Sequence, residues 1–318
     1  MSKVVVRSCK DKDLNIIVQE VLDALQWQDL VPAGGRVAIK LDLNTAEPER
    51  VESANTSPAL VEALCRVLRT RAGEISLVDA NGYRAPAEEA FKNTGMYTVA
   101  ERVGAKTVNL SNVATRDVGH PGLGPLPSLL FDVDLFMTMP VLKTHALTYF
   151  TGALKNQWGC IPRNDRIALH HSLDQLIVEL NGILRPRLCV MDGIIGVEGR
   201  GPTNGKPRRL DLVMGSRDPV ALDATAMRLV GLDPRKCRHA ILAFEAGQGM
   251  LWESDITLDS TVQRDWADFE PAHLDWAVYW MNRLTKYGWF REYILGVDAI
   301  FYPTKRLVGL LRDVGIVR

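Results

Sequence analysis

Within residues 143–156 the chain places Lys143, Thr144 and His145 a short step before Lys155 and Asn156. Ammonium groups of this kind hold carboxylates or phosphates, and an imidazole exchanges protons or binds a metal near neutral pH. Gly152 and Gly159 let the backbone approach another segment or a ligand closely. Lys143, His145 and Lys155 are therefore the catalytic candidates, with His145 the favoured acid or base. Lys40, Asn44, Thr56, Arg84, Thr144 and Asn156 are the substrate-binding candidates. Taken singly, each cation is equally well explained as a solvated charge or a surface ion pair. Lys143 and Lys155 stand out because Thr144, His145 and Asn156 flank them.

A divalent metal is the expectation for Asp192, Glu198 and His171, since oxygen-rich ligation favours magnesium or manganese over zinc. The histidine spacing is not that of a zinc helix such as H-E-x-x-H. Hydrogen-bonded structural histidines explain at least one of His170 and His171 more simply. Cys160 is a weak candidate nucleophile, because nothing near it in sequence lowers a thiol pKa. Asp218 and Asp223 are explained by helix capping. Five glycines between Gly193 and Gly205 match neither the P-loop nor the dinucleotide-binding pattern.

Strands and helices must carry these residues. Val4–Val6, Arg36–Leu43, Ile75–Asp79, Lys106–Leu110, the apolar run 134–139, Arg187–Met191, Leu210–Met214 and Ile256–Leu258 read as strands from β-branched content or alternation. Helical spacing occupies Leu14–Trp27, the segment after Ser57-Pro58, a segment from Ala87, Leu173–Leu184 and the segments after Asp218-Pro219 and Asp233-Pro234, the Ser/Asp-Pro pairs being N-cap and first-turn signals. This rhythm predicts an α/β fold, a largely parallel sheet flanked by helices. Lys40 and Asn44, Asp79 to Arg84, Lys143 and His145, and Asp192 and Glu198 then all fall at strand exits, where open α/β sheets bind ligands. Residues 1–262 form the α/β domain in this reading, and 263–318 a helical appendage packed on it. From Pro271 onward Trp276, Tyr279, Trp280, Tyr287, Trp289, Phe290, Tyr293, Phe301 and Tyr302 crowd between basic residues. A cap on the sheet is favoured over an amphipathic membrane-surface element.

Lysine plus arginine balances aspartate plus glutamate at 38 each, so no global field draws nucleic acid or an acidic membrane. The five cysteines are scattered without a C-x-x-C pair, which argues against a disulfide framework and against an iron–sulfur cluster held by this chain alone. A cytoplasmic protein without a signal peptide is expected.

Several of these segments taken together resemble a known family. Met139-Pro140-Val141-Leu142-Lys143-Thr144-His145, Thr151-Gly152-Ala153-Leu154-Lys155-Asn156, Met191-Asp192-Gly193-Ile194, Glu198-Gly199-Arg200-Gly201-Pro202 and Ser216 to Asp223 look like the domain-of-unknown-function 362 family. The resemblance runs over about residues 3–260. Members of that family often carry a ferredoxin-like iron–sulfur segment, so the resemblance implies that any cluster here sits on a partner. More distantly, Asp79 to Glu89 is similar to a loop of the amino-terminal domain of nickel-pincer lactate racemases, with Tyr83 where those proteins have histidine.

The expectation is binding of a small carboxylate or phosphate at the strand ends, with proton or hydride transfer on it. The alternative is a non-catalytic redox-accessory or cofactor-binding protein working with an iron–sulfur partner. A homo-oligomer is compatible with either.

Overall fold

A computed structural model describes residues 1–47, 54–82, 86–202, 205–263, 267–272 and 276–295. Its strands are β1 (Ser2–Ser8), β2 (Gly35–Lys40), β3 (Ala72–Asp79), β4 (Lys106–Asn109), β5 (Thr115–Arg116), β6 (Leu126–Pro127), β7 (Leu135–Thr138), β8 (Val141–His145), β9 (Tyr149–Thr151), β10 (Leu188–Glu198), β11 (Lys206–Ser216) and β12 (Ile256–Ser260). One mixed sheet runs β12-β1-β11-β10-β7-β2-β3-β4, with β8 paired to β10 and β9. From β10 through β7, β2 and β3 to β4, successive strands are parallel to one another. β11 is antiparallel to both β1 and β10.

Alternation along each strand supplies a core on both faces. Val5, Val37, Ile39, Leu135, Met137 and Val213 pack beneath the helices Leu14–Ala24, Pro58–Arg69 and Met96–Val103. Val4, Val6, Phe136, Met191 and Met214 pack on the opposite face beneath Leu173–Leu184, Pro219–Leu229 and Arg238–Glu245. The three-layer α/β expectation and the helical, aromatic carboxy-terminal segment are therefore present. Trp276–Leu284 is helical and packs against the turn Arg166–Ser172. Tyr287, Trp289 and Phe290 form an aromatic cluster beyond it, with centroids 6.5 and 5.7 Å apart.

Two elements differ from the sequence reading. Lys143, Thr144 and His145 lie within strand β8, not in an exit loop, because β8 folds back on β9 through Lys143–Thr151 and His145–Tyr149 pairing. β10 does not end at Asp192-Gly193 but continues to Glu198 across an irregularity between Gly193 and Ile195, held by β11. Long-range pairing outweighs the local breaker signals, Pro140 ahead of β8 and Gly193 within β10.

The sheet order places a chain reversal at the site. From β2 the chain proceeds to β3 and β4 on one side, then returns through β7 to the other side. The carboxyl ends of β2 and β7 therefore part at a topological switch point, the position where open sheets form a crevice.

Candidate functional site

Lys40 ends β2, and register sets it beside Val78 of β3 and Thr138 of β7. Across the switch point lies Asn156, in the short helix Ala153–Asn156. Its amide donates to the Lys40 carbonyl at 3.2 Å and to Thr138 Oγ1 at 2.7 Å, and its carbonyl accepts from Lys40 Nζ at 3.3 Å. Lys40 Nζ also pairs with Asp79 Oδ1 at 2.9 Å and donates to the Leu41 carbonyl. Its three donors are thereby used. Burial raises the Asp79 pKa, against the opposing pull of Lys40.

A second buried pair stands behind the first. Lys143 Nζ meets Asp42 Oδ2 at 2.9 Å and donates to the Ala54 carbonyl at 2.8 Å. Burial lowers the Lys143 pKa while Asp42 raises it. Thr56 Oγ1 accepts from the Asp42 amide and donates to the Met139 carbonyl, and the Asn44 side chain donates to Asp42. Thr144 Oγ1 donates toward the Val197 and Gly199 carbonyls. Lys143, Thr56 and Thr144 thus brace the loops around the cavity, and their polar atoms are engaged within the protein.

The cavity itself measures about 220 Å³ and is walled by Lys40, Asp42, Asn44, Asp79, Thr151, Lys155, Asn156, Trp158, Arg166 and His170, among others. Lys155 differs from the other two lysines. Among the described residues its ammonium has no hydrogen-bond or ion-pair partner, and burial pushes its pKa down to about 8, with Lys143, Arg166 and Lys40 acting in the same direction. Arg166 spends two donors on the Ile161 and Asn81 carbonyls, and a guanidinium has five. Thr151 Oγ1 is buried without a hydrogen-bond partner among the described residues. Lys40, Lys155 and Arg166 outnumber Asp42 and Asp79 along the wall, and Lys143 compensates Asp42 from behind. The local balance is positive within a low-dielectric recess.

The glycines behave as their positions suggested. A Cβ on Gly159 would stand 2.5 Å from Lys40 Nζ and 2.9 Å from Asp79 Oδ1, and one on Gly152 only 2.1 Å from Asp223 Oδ1. Asp223 is buried in the helix Pro219–Leu229 and accepts from the Ala153 and Leu154 amides at 2.6 and 3.0 Å. It caps the helix bearing Lys155 and Asn156 from a different element. Burial lifts its pKa to about 7. Asp218 caps its own helix through the Ala221 amide at 2.9 Å.

His145 lies at the end of β8, and its Nδ1 faces the amides of Leu147 and Thr148 at 3.1 and 3.2 Å. Nδ1 must therefore accept, which leaves the proton on Nε2. Burial, with Lys155 next, holds its pKa well below the usual imidazole range. His145 is a neutral hydrogen-bond donor in this setting. His170, also neutral, is pushed down to about 3 by burial with help from Lys155 and Arg166, and its ring rests 5.9 Å from that of Trp158.

The residues expected to hold a metal do not converge. Asp192 accepts from the Ser57 and Ile194 amides at 2.7 and 3.0 Å and lines a separate cavity with Thr94 and Arg209. Glu198 is tied to Arg208 at 2.9 Å and to the Glu270 amide. His171 donates from Nδ1 to the Ala168 carbonyl and faces a third cavity. The continuation of β10 carries Glu198 along β11, away from Asp192, which is why the spacing misled. Among the described residues no group of three or more His, Cys, Asp or Glu side chains could hold a metal ion. The cysteines are buried and unpaired, and burial pushes Cys160 up to about 12, so its thiol stays protonated. Arg84 and Tyr83 lie outside the described residues.

Asp42, Thr151 and Arg166 were missed as site residues. Asp42, two residues beyond Lys40, carried a signal in the exit pattern. Thr151 carried only its place at the head of the Thr151-to-Asn156 segment and Arg166 carried no signal, because their positions depend on how β9 and the 157–172 turns close over the sheet.

Known proteins similar to this chain include the following three. A thylakoid-associated protein of Synechocystis sp. is 27% identical over 215 residues, covering 65% of this chain and 66% of that protein. The lactate racemase apoprotein from Thermoanaerobacterium thermosaccharolyticum superposes with a TM-score of 0.45 at 15% identity, covering 70% of this chain and 58% of that one. A Thermotoga maritima protein gives 0.40 at 15% identity, covering 73% and 58%. The chain thus spans only about three-fifths of the two solved chains and 66% of the cyanobacterial relative. The model for a domain of unknown function (DUF362) matches residues 37–228, more than half of the sequence, and the chain belongs to that family.

Proposed function

We propose that this protein binds a small organic anion, a carboxylate or phosphate, in the strand-end cavity and moves a proton on it. The observation that carries the reading is the Lys155 ammonium, without a partner among the described residues, in a recess where Asp79 and Asp42 are already taken by Lys40 and Lys143. Arg166 and Thr151 supply the additional donors that would fix the anion's orientation. A lysine held near pH 8 exchanges its proton at neutral pH more readily than a free lysine does, so Lys155 is the proton carrier while Arg166 retains the anion. His145 is neutral and is not among the residues that wall the cavity, so the proton transfer is assigned to Lys155. The donors named for this binding step are the protein's own.

The test has two stages. Thermal shift with acetate and with inorganic phosphate is expected to stabilise the wild-type protein and not Lys155→Met; equal shifts in both would overturn the binding site. Incubation with a panel of 2-hydroxy and 2-amino acids in D₂O is expected to wash deuterium into the position beside the carboxylate. Binding without exchange would leave a binding protein, the accessory role for an iron–sulfur partner.

A second reading concerns the carboxy-terminal segment. Tyr279, Trp280, Tyr287, Trp289 and Tyr293 are all exposed, beside Arg283, Lys286 and Arg291. Interfacial aromatic and basic side chains of this kind suit contact with an anionic membrane surface, a setting consistent with the name of the thylakoid-associated relative.

A further inference from the structure

We infer that the strand-end cavity is the inner half of a two-room site, and that its ligand is an elongated molecule with an anionic group at each end. The inference rests on the reading of the strand-end cavity as an anion site. His170 lines both that cavity and a neighbouring one of about 640 Å³. The inner room holds roughly seven water volumes, below the few hundred Å³ that small-molecule sites occupy, so it accommodates a head group and little else. The outer room has the volume for the body of a ligand.

The outer room is also built for negative charge. Arg238, Arg283 and Lys286 line it against a single carboxylate, Asp174. Asp174 is already engaged by His239 at 3.2 Å. Arg238 has no partner among the described residues, Arg283 spends one donor on Tyr279 Oη at 2.9 Å, and Lys286 rests 4.7 Å over the Tyr287 ring without a carboxylate. Asn282 Oδ1 is buried there without a hydrogen-bond partner among the described residues. His170 stands between the rooms with neither ring nitrogen bonded to protein among the described residues, and can serve a polar group in the middle of the ligand. The outer wall comes from the helix Trp276–Leu284 and the turn after it, so the carboxy-terminal segment completes the site.

A homologous series tests this on the full chain. Affinities of α,ω-dicarboxylates from two to ten carbons, matched monocarboxylates, and ω-phosphonocarboxylates are measured by calorimetry. At one chain length the two-headed compounds are expected to bind at least tenfold more tightly than the matched monocarboxylate, and the better of the two series identifies the outer head group. The double variant Arg238→Ala/Arg283→Ala is expected to remove that advantage and leave acetate and phosphate binding unchanged, both side chains being exposed. Dicarboxylates no tighter than monocarboxylates at every length, or an advantage that survives the double variant, would overturn the two-room site while leaving the inner site standing. Acetate binding unaffected by Lys155→Met would instead remove the inner site, and the two-room reading with it.

Discussion

In the proposed reading, the chemistry turns on Lys155. Its pKa is lower in the folded chain than the 10.5 of a free lysine, about 8, so the charged form is disfavoured by folding. The cost is present in full below pH 8 and disappears as pH rises from about 8 to 10.5. Lys155→Met is therefore expected to stabilise the ligand-free protein at pH 7, by about 1–2 kcal/mol once partial solvent access is allowed for, while abolishing anion binding. A thermal melt series across pH 7–10 checks the sign, because the advantage of the variant must shrink above pH 8. Anion affinity of the wild type is expected to fall about tenfold per pH unit above 8, since one proton is lost. A flat profile would show that Arg166 holds the anion without help from the Lys155 charge. His145 offers a contrasting case. His145→Ala strands two backbone amides and is expected to cost about 1–3 kcal/mol, whereas His145→Asn keeps an acceptor for them. Deuterium exchange lost in a stable His145→Asn protein would identify the Nε2 proton as part of the reaction.

At the scale of elements, the site depends on a four-residue helix that could not hold itself. Ala153–Asn156 is too short to be stable alone, and its first amides are capped by Asp223 from the helix Pro219–Leu229. Asp223→Ala is expected to destabilise the protein by about 2–5 kcal/mol, because two buried donors lose their acceptor. Asp223→Asn, which keeps one acceptor oxygen, should fold and bind the anion more weakly by displacing Lys155. Chemical denaturation and calorimetry together separate the two effects. Gly159→Ala probes the opposite wall. Its methyl would meet the Lys40–Asp79 pair, and overpacking of this kind costs about 1–3 kcal/mol. A Gly159→Ala protein with unchanged stability and anion affinity would show that the pair has room to move.

For the molecule as a whole, the central issue is what the carboxy-terminal segment adds. Among the described residues no helix is long and apolar enough to cross a membrane. Its exposed tryptophans and tyrosines lie in the segment that also walls the outer cavity, so surface attachment and ligand entry would be coupled through the same helix. Flotation with vesicles containing anionic lipid is expected to carry the full chain upward. Trp280→Ser/Trp289→Ser should reduce the bound fraction several-fold, and neutral vesicles should bind less. Equal flotation on neutral and anionic vesicles would remove the basic residues from the account.

Much of this organisation was legible in the residues because it follows from local periodicity. Alternating apolar residues in β2, β3 and β7, proline-led helix starts after Ser57 and Asp218, and glycines at 152 and 159 report spacings that neighbouring residues impose on one another. Lys40 and Asp79 meet at one rim because strand exits of a parallel sheet share it, whereas Lys155 and Asn156 reach that rim on the helix Ala153–Asn156. Three things required the folded chain. The pairing of Lys40 with Asp79 and of Lys143 with Asp42 separates the structural lysines from the free one, yet all three look alike along the sequence. β10 runs on past Asp192 because β11 supplies its hydrogen bonds, and that pairing moves Glu198 away from the expected metal set. Arg166, Thr151 and the capping carboxylate of Asp223 reach the site from segments distant in sequence. Charge neutralisation and hydrogen-bond satisfaction are properties of groups brought together in space, and composition and spacing along one chain do not encode them.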